Sequence, residues 1–297
     1  MSVQDPTSSF DFSGLWIPLV TPFNGGAVDH PALAALVKRL ASTGIAGYVV
    51  CGSTGEAAAL DEGEQLAVLA TVAQAAPQLP RIMGVSGYHL GKMLAWVRRL
   101  NKEPLAGLLV PAPNYIRPSQ AGLLQWFAAI AKESAAPLLI YDIPYRTGAT
   151  LERDTLLALA ANPRVRAIKD CGGDAGKTRA LIADGRLQVL AGEDAEMFNT
   201  VAHGGAGAIA ASAHLHTGRF SRVIALLRDG QLLQARALWQ PLLPLIELMF
   251  AEANPAPVKA LFAMRGEMRD ELRSPMTPAS DALRQRLAQV DAELSRP

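Results

Sequence analysis

The stretch Val165-Arg166-Ala167-Ile168-Lys169-Asp170-Cys171-Gly172-Gly173 places a lysine at the end of a short apolar run, immediately before a glycine turn. A run of this length bounded by glycine predicts a buried strand. Strand alternation puts Val165, Ala167 and Lys169 on one face. The amine would then stand above aliphatic side chains, where burial disfavours the charged form, lowers the pKa and frees a neutral nucleophile. Taken alone, a lysine here reads as a strand terminus reaching into water. Its companions at the other strand ends decide between the two.

The same strand-turn-helix unit recurs along the chain. Leu15 to Val20 ends at Thr21-Pro22-Phe23, and Asp29 with Pro31 opens a helical pattern through Leu33, Leu36, Val37 and Leu40. Ile45 to Cys51 leads through Gly52-Ser53-Thr54-Gly55-Glu56 to a helix whose start carries the capping box Asp61/Glu64. Arg81 to Val85, Leu108 to Val110 and Leu138 to Ile143 precede helices around Leu94 to Leu100, after Ser119, and near Leu151 to Ala160. Lys169 closes the sixth strand; Leu187 to Leu190 and Ala206 to Ala211 are the seventh and eighth. Eight units at roughly thirty-residue spacing, with strands apolar on both faces, predict an α/β fold, a parallel (β/α)₈ barrel spanning residues 1–223. Residues 224–297 read as a helical appendage: Leu226 to Phe250, Pro257 to Met264 and Pro278 to Leu294.

The chain has 297 residues, half of them hydrophobic, enough for one large core. Its 28 basic and 27 acidic residues leave a net charge of +1 with no basic run, which argues against nucleic acid as a partner. No apolar run reaches the ~18 residues of a membrane span. Two cysteines make no disulfide framework, and MSVQDPTSSFDFS lacks the charged start and apolar core of a signal peptide, so a cytoplasmic setting is expected.

In such a barrel, reactive groups gather where strands end. Those ends supply Thr21, Ser53, Thr54, Ser86, Tyr115, Tyr141, Lys169, Gly192 and the backbone near Ile209. Metal chemistry is poorly supported, since among five histidines only His214 and His216 are close in sequence and no carboxylate pattern accompanies them. The Gly205 to Ala210 stretch is a loose dinucleotide fingerprint, but it lies inside a strand and lacks the later acidic residue, so it is set aside. Arg146, one turn past Tyr141, suits a carboxylate ligand because its guanidinium fork matches that group bidentately.

At these residues the chain resembles the dihydrodipicolinate synthase and N-acetylneuraminate lyase superfamily. The likeness spans nearly the whole chain. It rests on Gly52-Ser53-Thr54-Gly55-Glu56, Tyr115-x-Arg117-Pro118-Ser119-Gln120, Tyr141-x-x-Pro144-x-Arg146-Thr147-Gly148, Ile168-Lys169, Ala191-Gly192-Glu193-Asp194, Asn254-Pro255-x-Pro257-Val258-Lys259 and Ser274-Pro275-Met276-Thr277-Pro278. The resemblance implies a lyase in which Lys169 forms a Schiff base with pyruvate, Tyr141 shuttles protons, and Ser53, Thr54 and Tyr115 form a relay, with Tyr115 reaching in from a neighbouring subunit. It further implies that Thr54 and the backbone at Ile209 hold the pyruvate carboxylate, with Gly192 beside the substrate. Arg146 would hold the carboxylate of an incoming aldehyde, which in the synthase branch is aspartate semialdehyde, for lysine biosynthesis. A homo-oligomer, dimer or tetramer, is expected, with no metal or other cofactor.

The chain also departs from the synthase pattern. Ser53 stands for a usual Thr, Asn114 for a second Tyr, Asp142 for Asn, Tyr145 for a small residue, and Asp170-Cys171-Gly172-Gly173 for a Glu-Ala-Thr-Gly run. If Asp142 faced the mouth it would disfavour an acidic aldehyde. A Schiff-base aldolase or dehydratase for a sugar-derived 2-oxo acid, or a barrel that binds such an acid without turnover, are the competing expectations. Some synthases of the family are inhibited by lysine bound between subunits; here the corresponding places hold Tyr88, Lys92, Glu62, Gln65 and Asn114. Lys92 stands where a carboxylate would meet the ligand's ammonium, so no lysine inhibition is expected.

Overall fold

A computed structural model describes residues 10–296; residues 1–9 and Pro297 lie outside them. The strands β1 (Gly14–Pro18), β2 (Gly47–Val50), β3 (Arg81–Gly84), β4 (Gly107–Pro111), β5 (Leu138–Asp142), β6 (Val165–Asp170), β7 (Gln188–Ala191) and β8 (Gly207–Ile209) pair in parallel, each with the next. Pairing of Gly14 with Gly207 closes the ring. A Cβ at Gly207 would meet the Gly14 carbonyl oxygen at 1.9 Å, so this glycine allows the backbones to close rather than cradling a phosphate. The strands are the predicted ones to within a few residues.

Helices fill the space between strands where the caps placed them. Asp29 caps His30–Ala41, Asp61 and Glu64 form the reciprocal capping box of Glu62–Ala75, and Ser119 caps Gln120–Glu133. Two core layers result. The inner one, inside the barrel, holds Trp16, Val49, Ile82, Leu109, Leu139, Ala167, Leu190 and Ile209, and the outer one lies between barrel and helices. Phe12 plugs the N-terminal end, with Trp16 Nε1 donating to its carbonyl at 2.8 Å, which leaves the C-terminal end for chemistry.

Three expectations need correcting. Val165 does not share a face with Ala167: the β5–β6 register shifts between Leu138 and Leu139, so Val165 joins the outer core while Ala167 and Cys171 face inward. The helix expected over Leu226 to Phe250 is broken into pieces. One helix ends at Arg228 before Gly230, whose φ is +73, and Leu232–Trp239 and Leu243–Met249 follow, separated by a 3₁₀ turn at Pro241. The division at 223/224 falls inside the helix Thr217–Arg228, which packs on β1. We therefore place the start of the appendage after Asp229. Its later helices, Ala256–Met264 and Asp281–Leu294, carry the same outer core onward through Val258, Leu261, Leu283 and Leu287. Among the described residues no helix is long and apolar enough to cross a membrane.

Candidate active site

Register brings the two central residues together. Tyr141 pairs with Lys169 across β5 and β6, and in a parallel ladder paired residues share a face. The Lys169 ammonium lies 4.5 Å from the centroid of the Tyr141 ring, and the lysine is only 6 % exposed. On the far side β7 ends in Ala191-Gly192. A Cβ at Gly192 would meet Lys169 Cγ at 2.8 Å and Cys171 Sγ at 2.4 Å, so this glycine makes the room the lysine stands in.

The Tyr141 phenol is buried, and burial pushes its pKa up, which the neighbouring Ser53 hydroxyl only partly offsets. It therefore stays protonated, with the Ser53 hydroxyl beside it in the same lining. Thr54 is 3 % exposed and its Oγ1 accepts from Asn254 Nδ2 at 2.9 Å. Thr21 Oγ1 donates to the Gly55 carbonyl at 2.8 Å, which fixes the other side of the same turn.

Ser53, Thr54, Tyr141, Arg146, Lys169 and Gly192 line one chamber. Through Ser53, Tyr141 and Arg146 it opens into a mouth cavity of about 410 Å³. Arg146 sits exposed on the short helix Pro144–Thr147 and has no carboxylate partner among the described residues. Two expected site residues are not in this lining. Ile209 faces the barrel interior, and it is Ala211, two residues on, that borders the chamber. Tyr115 is 88 % exposed with φ of +71, and only its neighbour Asn114 borders the mouth.

Four polar chamber residues carried no assigned role in the sequence reading: Tyr145, Glu193, Asp194 and Asn254. Glu193 keeps one carboxylate oxygen buried without a partner. Asp194 accepts from both the backbone N–H and the hydroxyl of Ser212, each at 2.6 Å, and burial holds its carboxyl up at about 6. The run Ala191-Gly192-Glu193-Asp194 was noticed as a motif, yet nothing in single-sequence spacing separates an inward carboxylate from a turn residue.

Asp142 does not face the mouth. It is fully buried on the outside of β5, where Lys177 Nζ donates to it at 2.5 Å and to the Leu151 carbonyl at 3.1 Å. Alternation already separated it from Tyr141, and its charge is met by the lysine one helix turn beyond β6. The objection to an acidic aldehyde falls away. The close histidine pair is structural: His214 is buried between Val20 N–H and the Ala211 carbonyl, while His216 contacts Asp291.

At the positions corresponding to the family's lysine site, Glu62 is committed to Arg99 at 2.9 Å and the Gln65 amide to the carbonyls of Ala57 and Leu60. Millimolar lysine is expected to leave activity unchanged, and half-inhibition below ~1 mM in a titration, or a rise in melting temperature there, would contradict this.

A sequence profile described as the dihydrodipicolinate synthetase family matches residues 11–293. The 4-hydroxy-tetrahydrodipicolinate synthase of Sorangium cellulosum is 38% identical over 289 residues, covering 95% of this chain and 96% of that one. The crystal structure of dihydrodipicolinate synthase from Thermotoga maritima superposes with a TM-score of 0.93 at 28% identity, covering 96% of this chain and 99% of that one. That of the chloride-inhibited dihydrodipicolinate synthase from Acinetobacter baumannii, complexed with pyruvate, gives 0.91 at 31% identity over 95% and 99%.

Proposed function

The chain belongs to the dihydrodipicolinate synthetase family, and we infer that it is a Schiff-base lyase condensing pyruvate with aspartate semialdehyde to 4-hydroxy-tetrahydrodipicolinate. The observation that carries this reading is the register pairing of Lys169 with Tyr141, in a chamber that Ser53 also lines at the barrel mouth. Lys169 attacks the pyruvate ketone, and loss of water gives a protonated imine. Removal of a methyl proton then makes an enamine, whose carbon attacks the aldehyde as the aldehyde oxygen takes up a proton. The amino group of the joined product displaces Lys169 from the imine carbon, closing the ring and restoring the free amine. Tyr141 and Ser53 carry the protons, and Thr54, with the backbone between Ile209 and Ala211, receives the pyruvate carboxylate.

Two features support an aldehyde that is also an amino acid. Arg146 offers an unpaired guanidinium at the rim, and Glu193 offers an unpartnered carboxylate oxygen for an ammonium. Arg146→Ala is expected to raise KM for the aldehyde about 10- to 100-fold, matching the ~1.5–3 kcal/mol of a lost charge-assisted contact, with KM for pyruvate little changed. Unchanged aldehyde kinetics would reject the carboxylate assignment and favour a sugar-derived 2-oxo acid.

Tyr115 belongs to the same reading as a group given to a neighbouring copy. An exposed tyrosine held at positive φ is costly on a free surface and sensible at an interface, so a homo-oligomer of at least two chains is the working form. Two buried free thiols suit a cytoplasmic setting. The deciding experiment assays pyruvate condensation with aspartate semialdehyde beside cleavage of 2-oxo-3-deoxy sugar acids. A higher kcat/KM for any sugar acid would overturn the proposed second substrate.

A further inference from the structure

Lys259 is fully buried on the helix Ala256–Met264, far from Lys169 in sequence. Its ammonium donates to the Glu56 carboxylate and to the Glu271 carbonyl at 2.8 Å, and stands 4.3 Å from the centroid of the Phe23 ring. Glu56 lies two residues beyond Thr54, is 6 % exposed, and adopts a left-handed φ of +53 that a side-chain-bearing residue rarely takes. Its second oxygen accepts from Arg273 N–H at 3.1 Å. The turn that presents Ser53 and Thr54 is thereby anchored on its C-terminal side to two segments of the helical appendage. A third anchor is Asn254, on Thr54 Oγ1.

A buried ion pair is a poor choice for stability alone, because apolar side chains of similar volume commonly do as well or better. A pair that fixes one backbone turn in an uncommon conformation, with the relay hydroxyl of Ser53 three residues away, has a better use. We propose that Lys259 and Glu56 are positioning residues, which hold the Ser53 hydroxyl against the Tyr141 phenol and make the appendage part of the catalytic machinery. The proposal rests on the imine reading above, in which Ser53 relays protons.

Lys259→Met alone would strand a buried carboxylate, so the informative variant is the double Lys259→Met/Glu56→Gln, which removes both charges of the buried pair. The fraction of chains trapped by borohydride after prolonged incubation with pyruvate counts competent sites and divides out any misfolded protein. Turnover per trapped site is expected to fall about 10- to 100-fold, the scale of a small misplacement of a catalytic group. KM for pyruvate should stay within about twofold, and Lys259→Arg, which keeps the charge, should recover part of the loss. Turnover per trapped site within about twofold of the parent, or trapping lost while the fold is retained, would overturn the proposal. A parent enzyme that does not trap at all would instead remove the imine reading on which it stands.

Discussion

Lys169→Arg is expected to abolish both turnover and borohydride trapping with pyruvate, while the protein stays folded. Arginine remains protonated at every accessible pH and cannot attack a ketone, so the loss should exceed about 10⁴-fold. The structure makes the assignment specific to this lysine. Three lysines are buried, but Lys177 is paired with Asp142 and Lys259 with Glu56. Among the described residues Lys169 has no carboxylate partner in an ion pair, and it alone of the three lines the chamber. Lys177 and Lys259 are each tied to a buried carboxylate, whereas Lys169 stands at a cavity that a ketone can enter. Intact mass should show one pyruvate-derived adduct per parent chain and none in the variant. Peptide mapping that found the adduct on any other lysine would reject the mechanism as written.

The barrel was legible because its evidence is periodic. Eight apolar runs ending in turns, with Asp61/Glu64 and Ser119 marking helix starts, repeat one local signal until chance is a poor explanation. The convergence of Lys169, Tyr141, Ser53 and Thr54 on one chamber was legible for the same reason, since a barrel gathers its strand ends whatever the order of the chain. What stayed hidden depends on contacts distant in sequence. The register shift at Leu138/Leu139 that turns Val165 outward leaves no mark in a six-residue strand. Asp142 looked like a threat to the mouth until Lys177, 35 positions on, was seen to hold it. Gly192 read as a substrate contact, and only the 2.8 Å approach to Lys169 Cγ shows why a side chain is excluded. Glu56 and Lys259 are 203 positions apart, and no local pattern links them.

Tyr141→Phe is expected to cost about 10²–10⁴ in kcat, with KM for pyruvate changed by no more than a few-fold. Phenylalanine keeps the ring that packs 4.5 Å from the Lys169 ammonium, so the chamber wall and the lysine's position should survive. The lost atom is the phenolic oxygen, whose neighbour in the chamber is the Ser53 hydroxyl. Ser53 is itself exposed, so its hydroxyl can turn to water and no buried group is left unsatisfied, which should keep the melting temperature near that of the parent. What disappears is a proton path: loss of water from the first adduct, removal of the methyl proton and protonation of the aldehyde oxygen each need a proton moved within the buried chamber. Ser53→Ala should produce a smaller loss of the same kind, since it removes the next link while leaving the phenol beside the imine. If Tyr141→Phe instead raised KM for pyruvate and left kcat within about threefold, the phenol would be a binding group, and the proton relay through Ser53 would have to be abandoned.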